Sequence, residues 1–251
     1  MGKTLREAAK DRILILDGAM GTMIQQYKLE EEDFRGYRYR KTPGMMKGNN
    51  DMLNITRPDV VTDIHRKYLR AGADIISTNT FSSQRISQAD YHLEESAREM
   101  ALLGVQLARK AADEFSTEEK PRFVAASVGP TNKTCSMSPD VSNPATRDIT
   151  YAQLYDAYLE QIAAFEEGGA DAILIETVFD TLNAKAAIDA TMEVERRSGR
   201  LMPIMLSITV SDLAGRTLSG QTLDAVLASV SSYPLFSIGC LLYTSDAADE
   251  E

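Results

Sequence analysis

The chain has 251 residues, of which 43% are apolar and 25% are charged, which is ordinary for a globular protein with a sizeable core. Its formal net charge of −10 argues against a surface for nucleic acids or anionic membranes. No apolar run approaches the roughly 18 residues of a membrane span, and the N-terminus lacks the apolar core of a secretory signal. Two cysteines, Cys135 and Cys240, give no disulfide framework. The composition predicts a cytoplasmic protein.

Six short apolar runs, rich in Ile, Val and Leu on successive positions, are typical of strands buried on both faces. They are residues 13–19, 73–81, 122–130, 170–178, 203–210 and 235–239. Helical patterns lie between them, over residues 56–72, 93–115, 150–168, 182–197 and 222–231. In the first of these helices we expect Thr56 as the N-cap and Pro58 in the first turn. Strict strand–helix alternation predicts a parallel sheet with right-handed crossovers.

A doubly wound sheet and an eight-stranded barrel both fit this alternation, and two features favour the barrel. The first strand is followed by DGAMGT, which is not the glycine-rich dinucleotide fingerprint. Polar residues also stand at the C-terminal ends of successive strands, where barrels place their active sites: Asp17, Asn79, Ser127, Glu176 and Thr209. The predicted fold is a parallel (β/α)8 TIM-type barrel that is incomplete, with about six of the eight units present.

Residues 28–54 connect the first strand to its helix and are long, charged and without clear periodicity. Connections of that length in a compact domain are usually functional or mobile. We expect an irregular segment, which is either a lid over the barrel mouth or a solvated insertion.

The strand ends provide candidate binding groups for an amino acid. Asp17 and Glu176 supply two carboxylates, and Gly18 and Ala19 leave their backbone amides open to a ligand carboxylate. On these residues alone, a turn role for Asp17 and a helix N-terminal role for Glu176 are the more common outcomes.

For other polar residues, too, a purely structural or solvated role is an alternative to ligand binding. Ser127 and Asn79 can orient a substrate or cap their own loops, and Arg216 can bind an anion or be solvated. His65 and His92 fall within helical patterns, where a core or surface role is the commoner one.

Taken together, the motifs resemble the homocysteine-binding domain of the cobalamin-dependent methionine synthases. The matching stretches include LDGAMGTMIQ at 16–25, KGNNDMLNITRPDVV at 47–61, GADIISTNTF at 72–81 and SVGPTNKTCSMSPDV at 127–141. GGADAILIETVFDTLNAKAA at 168–187 and GRTLSGQT at 215–222 follow in the same order. The resemblance favours ligand binding by Asp17 and Glu176 over the turn role and the helix N-terminal role.

The resemblance implies transfer of a methyl group from methylcobalamin to homocysteine, giving methionine, with 5-methyltetrahydrofolate as the methyl source. It implies that Asp17, Gly18 and Ala19 grip the amino-acid end, that Glu176 holds the ammonium, and that Ser127 and Asn79 line the pocket. It also implies homocysteine as substrate and folate and cobalamin domains as partners. In the family, zinc held by three cysteine thiolates activates the substrate thiol, whose pKa is otherwise about 8.5.

The zinc ligands are the point at which this chain departs from the family. The family's first zinc cysteine ends a G-L-N-C-A sequence in the sixth strand, where this chain has Leu242. The other two cysteines belong to a later G-G-C-C-G stretch that this sequence does not contain, and Cys135 stands where the family has no ligand. We therefore predict no metal ligands in this chain.

The tail, CLLYTSDAADE, has no family counterpart, and a transposon-based sequencing-library adapter encodes it in one reading frame. We predict a truncated barrel domain over residues 1–239 and an adapter-derived tail over 240–251; the intact gene tests this.

Two alternatives to this function remain open. One is a cobalamin-independent homocysteine methyltransferase that uses betaine or a sulfonium donor. The other is an inactive fragment whose open sheet edge promotes aggregation.

Overall fold

The computed structural model describes residues 2–211 and 215–242. Five parallel strands form one sheet in the order in which they occur along the chain. They are β1 (Ile75–Ser77), β2 (Phe123–Val128), β3 (Ala172–Val178), β4 (Ile204–Thr209) and β5 (Ser237–Leu242). Sequential parallel strands joined by helices are the arrangement of a TIM-type barrel, and the predicted incomplete barrel is confirmed.

Helices follow the strands as the sequence predicts, with several short additions near the N-terminus. The longer ones are α5 (Pro58–Ala71), α7 (Ala97–Phe115), α8 (Tyr151–Gly168), α9 (Thr181–Ser198) and α10 (Leu223–Val230). The shorter ones are α1 (Leu5–Asp11), α2 (Met20–Gln25), α3 (Glu31–Arg35), α4 (Leu53–Thr56) and α6 (Arg85–Gln88). None of the described helices is long and apolar enough to cross a membrane.

The first predicted strand, residues 13–19, is reduced to a single parallel bridge between Leu16 and Ile75. Asp17 N donates to Ile75 O at 2.9 Å, so the segment still runs beside β1. Within the described residues it pairs only on this one side, which leaves Ile13 86% exposed. The prediction of a full strand is therefore wrong, although the position at the sheet edge is correct.

The helices predicted from residues 150 and 222 begin there, and the N-cap predicted at Thr56 is wrong. Thr150 forms a capping box with Gln153 at the start of α8, and Thr222 caps α10. Thr56 is not the N-cap of α5, because it closes the preceding short helix α4, and Arg57 takes the cap position before Pro58. Because the preceding helix α4 includes Thr56, the N-cap of α5 lies one residue later than predicted.

The predicted irregular connection, residues 28–54, is partly ordered into α3, a 3-10 turn over Asn50–Met52 and the start of α4. Phe34, Met46, Met52 and Leu53 from this segment are buried in a second core with residues of α5 and α7. The segment is a packed side wall of the barrel, and neither the lid nor the solvated insertion describes it.

Alternate residues of the sheet face two different cores, as the pleat requires. Val124 and Ile173 point to the main core under the surrounding helices, and Phe123 and Ala172 point to a smaller core. Leu5 of α1 packs into that smaller core, so this N-terminal helix covers one end of the sheet.

A Gly-Ala-Asp turn joins α5 to β1. Gly72 ends the helix with a φ of 111°, which favours glycine. Arg12 donates two hydrogen bonds to the Asp74 carboxylate, at 2.7 and 2.8 Å, and Ile15 N donates a third at 2.9 Å. Asp74 thereby fixes the N-terminal segment to β1, and the Arg12 guanidinium holds the pKa of its carboxyl at about 2.

The same turn recurs between α8 and β3. Asp171 accepts from Val124 N at 2.8 Å and from Arg109 at 2.6 Å, so it ties the start of β2 to the start of β3. Arg200 precedes β4 and donates to Glu166 O at 3.2 Å at the end of α8. In both Gly-Ala-Asp turns, the aspartate thus bonds neighbouring segments together at the N-terminal ends of the strands.

His65 of α5 is fully buried, and neither ring nitrogen has a hydrogen-bond partner among the described residues. Burial lowers the pKa of its imidazole to about 4, from 6.5. The unfolded chain therefore binds a proton between pH 6.5 and 4 that the folded chain does not. Stability is complete above this window and falls as the pH decreases through it, by roughly 3 kcal/mol.

We expect His65→Leu to remove this acid-induced loss and to be more stable than the wild type at pH 5, because it also removes two unpaired buried nitrogens. Urea unfolding at pH 7.5, 6 and 5 measures the difference. His92→Asn is the matched control, because His92 is exposed and its φ of 56° suits Asn. Parallel pH dependence in His65→Leu and the wild type would contradict the expectation.

Candidate functional site

A cavity of about 550 Å³ opens at the C-terminal ends of the strands. It is lined by residues 16–21, 48–51, 77–79, Phe81, Ser82, Tyr91, Ser127, Leu174 and Glu176. All six residues that the sequence predicts for substrate binding are on its wall: Asp17, Gly18, Ala19, Asn79, Ser127 and Glu176. The strand order thus brings together residues that are up to 159 positions apart in the sequence (176 − 17).

Asp17 is held at the cavity by Ser77 at the end of β1. Ser77 N donates to one carboxylate oxygen at 2.9 Å, and Ser77 Oγ donates to the other at 2.8 Å. Loss of water raises the pKa of Asp17 to about 7, the bonds from Ser77 oppose that shift, and the charge of Glu176 adds to it. The carboxyl therefore titrates near neutrality when no cation is beside it.

Glu176 faces the same cavity from β3. Its carboxylate accepts a hydrogen bond from Ser127 Oγ, and Ser127 N donates to Thr78 Oγ1 at 3.0 Å. Burial raises the pKa of Glu176, and the bond from Ser127 partly offsets this. Ser127 is thus already paired with the acid.

A bulge in β3 sets the direction of Glu176. Ile175 pairs with Leu206 and Val178 pairs with Ile208, so β3 has one residue more than β4 over this stretch. Thr177, directly after Glu176, has a φ of 58°, which is uncommon for a β-branched residue. Strain of this kind is concentrated at functional sites, and here it adjoins the acid that faces the cavity.

Asn79 lines the cavity, but its side-chain amide is engaged in a buried network. Its Nδ2 donates to Asn50 O at 2.7 Å and to Asn54 Oδ1 at 3.2 Å. Asn54 Nδ2 donates in turn to Asn79 O at 2.7 Å and to Met100 O at 3.0 Å. The network joins the loop after β1 to the 48–54 segment and to α7.

The cavity wall also contains Asn50, Asp51 and Tyr91, which no catalytic or binding motif in the sequence singles out. These residues lie in connections without periodicity, so only their packing against the loop after β1 reveals their position. The stretch KGNNDMLNITRPDVV, which carries part of the family resemblance, contains the first two and is the one signal available in the sequence.

Among the described residues that line the cavity, none is Lys, Arg or His, whereas three are acids: Asp17, Asp51 and Glu176. The amides of Gly18 and Ala19 on the same wall donate no hydrogen bond to any described residue. A ligand with an ammonium and a carboxylate complements both features.

The remaining candidate residues lie away from the cavity. Cys135 is buried in the loop after β2, where its amide donates to Asn183 Oδ1 at 3.1 Å, and Arg216 donates to Gly220 O at 3.3 Å. Leu242 pairs with Thr209 at the end of β5. Within residues 2–211 and 215–242, no three His, Cys, Asp or Glu side chains are arranged to hold a metal ion. From position 243 onward, the predicted tail lies outside the described residues.

Comparison with known proteins finds one family profile, homocysteine S-methyltransferase, that matches residues 14–243. The fold is similar to that of the homocysteine methyltransferase MmuM from Escherichia coli. In its oxidized form the TM-score is 0.71 at 22% identity, over 95% of this chain and 77% of that one. In its metallated form the TM-score is 0.70 at 22% identity, over 94% of this chain and 77% of that one.

Gly104 of α7 lies against the network that positions Asn79. A Cβ at this position would overlap Thr80 Cγ2 and approach Asn54 Nδ2 to 2.7 Å. Gly→Ala in a helix ordinarily stabilises by about 1 kcal/mol, but here we expect Gly104→Ala to destabilise by about 1–3 kcal/mol through overpacking. Thermal unfolding should show a fall in Tm of roughly 3–9 °C.

Gly21→Ala in α2 is the control for this substitution, because the nearest atom to its new Cβ is Asn50 Nδ2 at 3.8 Å. An unchanged or raised Tm for Gly104→Ala would show that the network tolerates the added methyl group.

Proposed function

The chain belongs to the homocysteine S-methyltransferase family, and we propose that its cavity binds homocysteine for methylation to methionine. The observation that carries the proposal is the pair of half-buried carboxyl groups, Asp17 and Glu176, on a cavity wall whose described residues include no basic side chain. An ammonium placed between them supplies the missing positive charge. The unpaired amides of Gly18 and Ala19 receive the carboxylate of the same amino acid.

Each residue then has a defined role in binding. Asp17, fixed by Ser77, and Glu176, fixed by Ser127, accept hydrogen bonds from the ammonium. Asn79 acts through its bond to Asn50 O, which keeps the 48–51 segment against the cavity. The thiol at the other end of homocysteine is left unbound by these contacts, and it must lose its proton before it reacts, because only the thiolate is nucleophilic.

Methylcobalamin is the methyl donor in this proposal, with 5-methyltetrahydrofolate as the source of the methyl group. The stretch 47–61, shared with the cobalamin-dependent methionine synthases, supports this choice because residues 48–51 form part of the cavity wall. Folate and cobalamin domains of a longer protein are the corresponding partners. We also propose that residues 1–239 are a truncated barrel domain. The low cysteine content supports a cytoplasmic location in the same proposal.

Zinc is the metal that the family resemblance implies, and the described residues do not fit it. Leu242 stands at the position of the first cysteine ligand, and the described residues contain no metal-binding group. We therefore assign this chain the binding and orientation of homocysteine and no zinc-dependent step.

The experiment compares homocysteine with 4-mercaptobutanoate, which has the same thiol and carboxylate but no ammonium, by calorimetric titration. We expect Glu176→Gln and Asp17→Asn each to weaken homocysteine binding by about 10–100-fold, the value of a hydrogen bond to a charged group. Binding of 4-mercaptobutanoate should not weaken. This ligand has no ammonium, so it loses no hydrogen bond when Asp17 or Glu176 is replaced by an amide.

Glu95→Gln provides the control, since the Glu95 side chain is 92% exposed and lies outside the cavity. Equal losses for both ligands, or no loss for either, would contradict the assignment of the ammonium to these two acids.

A further inference from the structure

Glu176 is bonded to a serine whose own backbone lies beyond the end of a strand ladder. The Glu176 carboxylate accepts from Ser127 Oγ, so the position of Ser127 decides where that hydrogen bond points. The residue pairing between β1 and β2 stops at Ala125, two residues before Ser127. The buried N–H and C=O of Ser127 on that side therefore need partners other than the main chain of β1.

Two threonines in the loop after β1 supply these partners. Ser127 N donates to Thr78 Oγ1 at 3.0 Å, and Thr80 Oγ1 donates to Ser127 O at 2.8 Å. The two threonine hydroxyl oxygens are 2.6 Å apart. Each hydroxyl has one proton, and that of Thr80 is committed to Ser127 O, so Thr78 donates to Thr80. These hydrogen bonds form a closed ring on the backbone of Ser127.

The ring is buried and fixed from outside, and it leaves the Ser127 hydroxyl free for Glu176. Thr78, Thr80 and Ser127 are all buried, so their bonds lie in a region of low dielectric, where hydrogen bonds are stronger than in water. Gln161 of α8 donates from Nε2 to Thr80 O at 2.9 Å and holds the loop in place. Since Ser127 Oγ takes no part in the ring, its proton is donated to Glu176.

Thr80 differs from the other two members of the ring in its relation to the cavity. Thr78 and Ser127 are on the cavity wall, whereas Thr80 is not among the described residues that line it. Asn79, between the two threonines, is bonded away from the ring, to Asn50 O at 2.7 Å. Because Thr80 is fully buried, any effect of its hydroxyl on a ligand in the cavity passes through the ring.

We propose that Thr80 is a positioning residue for the amino-acid site: its hydroxyl closes the ring that orients Ser127, and Ser127 directs the Glu176 carboxylate toward the ligand ammonium. The proposal rests on the proposed function, in which Glu176 binds the ammonium of homocysteine. Loss of the Thr80 hydroxyl removes the donor of Ser127 O and the acceptor of the Thr78 hydroxyl, which leaves two buried polar groups unpaired. Ser127 is then no longer held in one orientation.

The test measures the binding of homocysteine and of 4-mercaptobutanoate to Thr80→Val and Thr80→Ser by calorimetric titration. Valine has the shape of threonine without the hydroxyl, and serine keeps the hydroxyl. We expect Thr80→Val to weaken homocysteine binding by about 3–10-fold. Binding of 4-mercaptobutanoate, which has no ammonium, should change less than about twofold. Thr80→Ser should keep the wild-type ratio of the two affinities. Thr80→Ala, which also lacks the hydroxyl, has the same expected pattern and replaces a Thr80→Val chain that does not fold.

Thr191→Val is the matched control, because Thr191 of α9 is also fully buried and donates to a backbone oxygen, Ala187 O, at 2.8 Å, away from the cavity. We expect a lower Tm and an unchanged ratio of the two affinities. A double-mutant cycle then separates positioning from general loosening. In a Ser127→Ala chain, Thr80→Val should lower the ratio no further, because no Ser127 hydroxyl is left to orient. Equal losses of both ligands, or a further fall of the ratio in that background, would overturn the proposal.

A measurement on the free protein separates this proposal from the proposed function. The bond from Ser127 lowers the pKa of Glu176 against the effect of burial. We therefore expect the Glu176 titration, followed by carbon NMR of the side-chain carboxyl and assigned with Glu176→Gln, to move to higher pH in Thr80→Val and not in Thr80→Ser. The other titratable groups on the described cavity wall, to be followed in the same spectra, are Asp17, Asp51 and Tyr91.

An unmoved Glu176 titration in Thr80→Val would overturn the role of Thr80, even where the wild type binds homocysteine. A wild type that does not bind homocysteine would contradict the proposed function, whereas a shifted Glu176 titration would still support the positioning of that acid by Thr80.

Discussion

Uncompensated negative charge at the C-terminal face of the sheet is the constraint on which the site depends. Asp17 and Glu176 are withdrawn from water, each with a serine as partner and with no basic side chain on the described cavity wall. Burial of carboxylates without a cation is costly, and the raised pKa values of both groups report that cost. A ligand that carries an ammonium relieves this cost, so the two carboxyl groups favour binding of an amino acid.

The two ends of the sheet place an aspartate in opposite electrostatic environments. At the N-terminal ends of the strands, Asp74 is bound by Arg12, and that arginine holds the pKa of the carboxyl at about 2. At the C-terminal ends, burial brings the pKa of Asp17 to about 7. The first carboxylate is neutralised within the protein and holds the chain to the sheet. In the proposed function the second receives its counter-charge from the ligand, which separates the structural end of the barrel from the proposed binding end.

Much of this architecture follows from local patterns in the sequence. The buried strands after the first and the long helices between them each have a signal within a few residues, and the structure has them where that signal predicts. The edge segment around Leu16 was overestimated because its apolar pattern is that of a strand, whereas the described chain offers it a neighbour on one side only. A strand requires hydrogen-bonded pairing along its length, and an apolar pattern does not show how many neighbouring strands a segment has.

The candidate site was predictable only in part, for a related reason. Asp17 and Glu176 end strands, and parallel strands bring their ends together, so their shared cavity follows from topology. Asn50 and Asp51 reach the same cavity through long-range packing of residues 28–54 against α5 and α7, and Tyr91, from the connection after β1, packs on the same core; no periodicity reveals either. The bulge at Thr177 that orients Glu176 is likewise invisible in a run that is otherwise a buried strand.

Proton release on ligand binding tests the central role of the buried carboxyls most directly. Methionine has the same ammonium and carboxylate as homocysteine but no thiol proton, so any proton released on binding comes from the protein or the ammonium region. Calorimetric titration at pH 7, in buffers of different ionisation enthalpy, measures this number. Because Asp17 titrates at about 7 in the free protein and an ammonium lowers its pKa, the account predicts release of a fraction of a proton and tighter binding as the pH rises from 5 to 8. Binding without proton exchange, or with proton uptake, would contradict it.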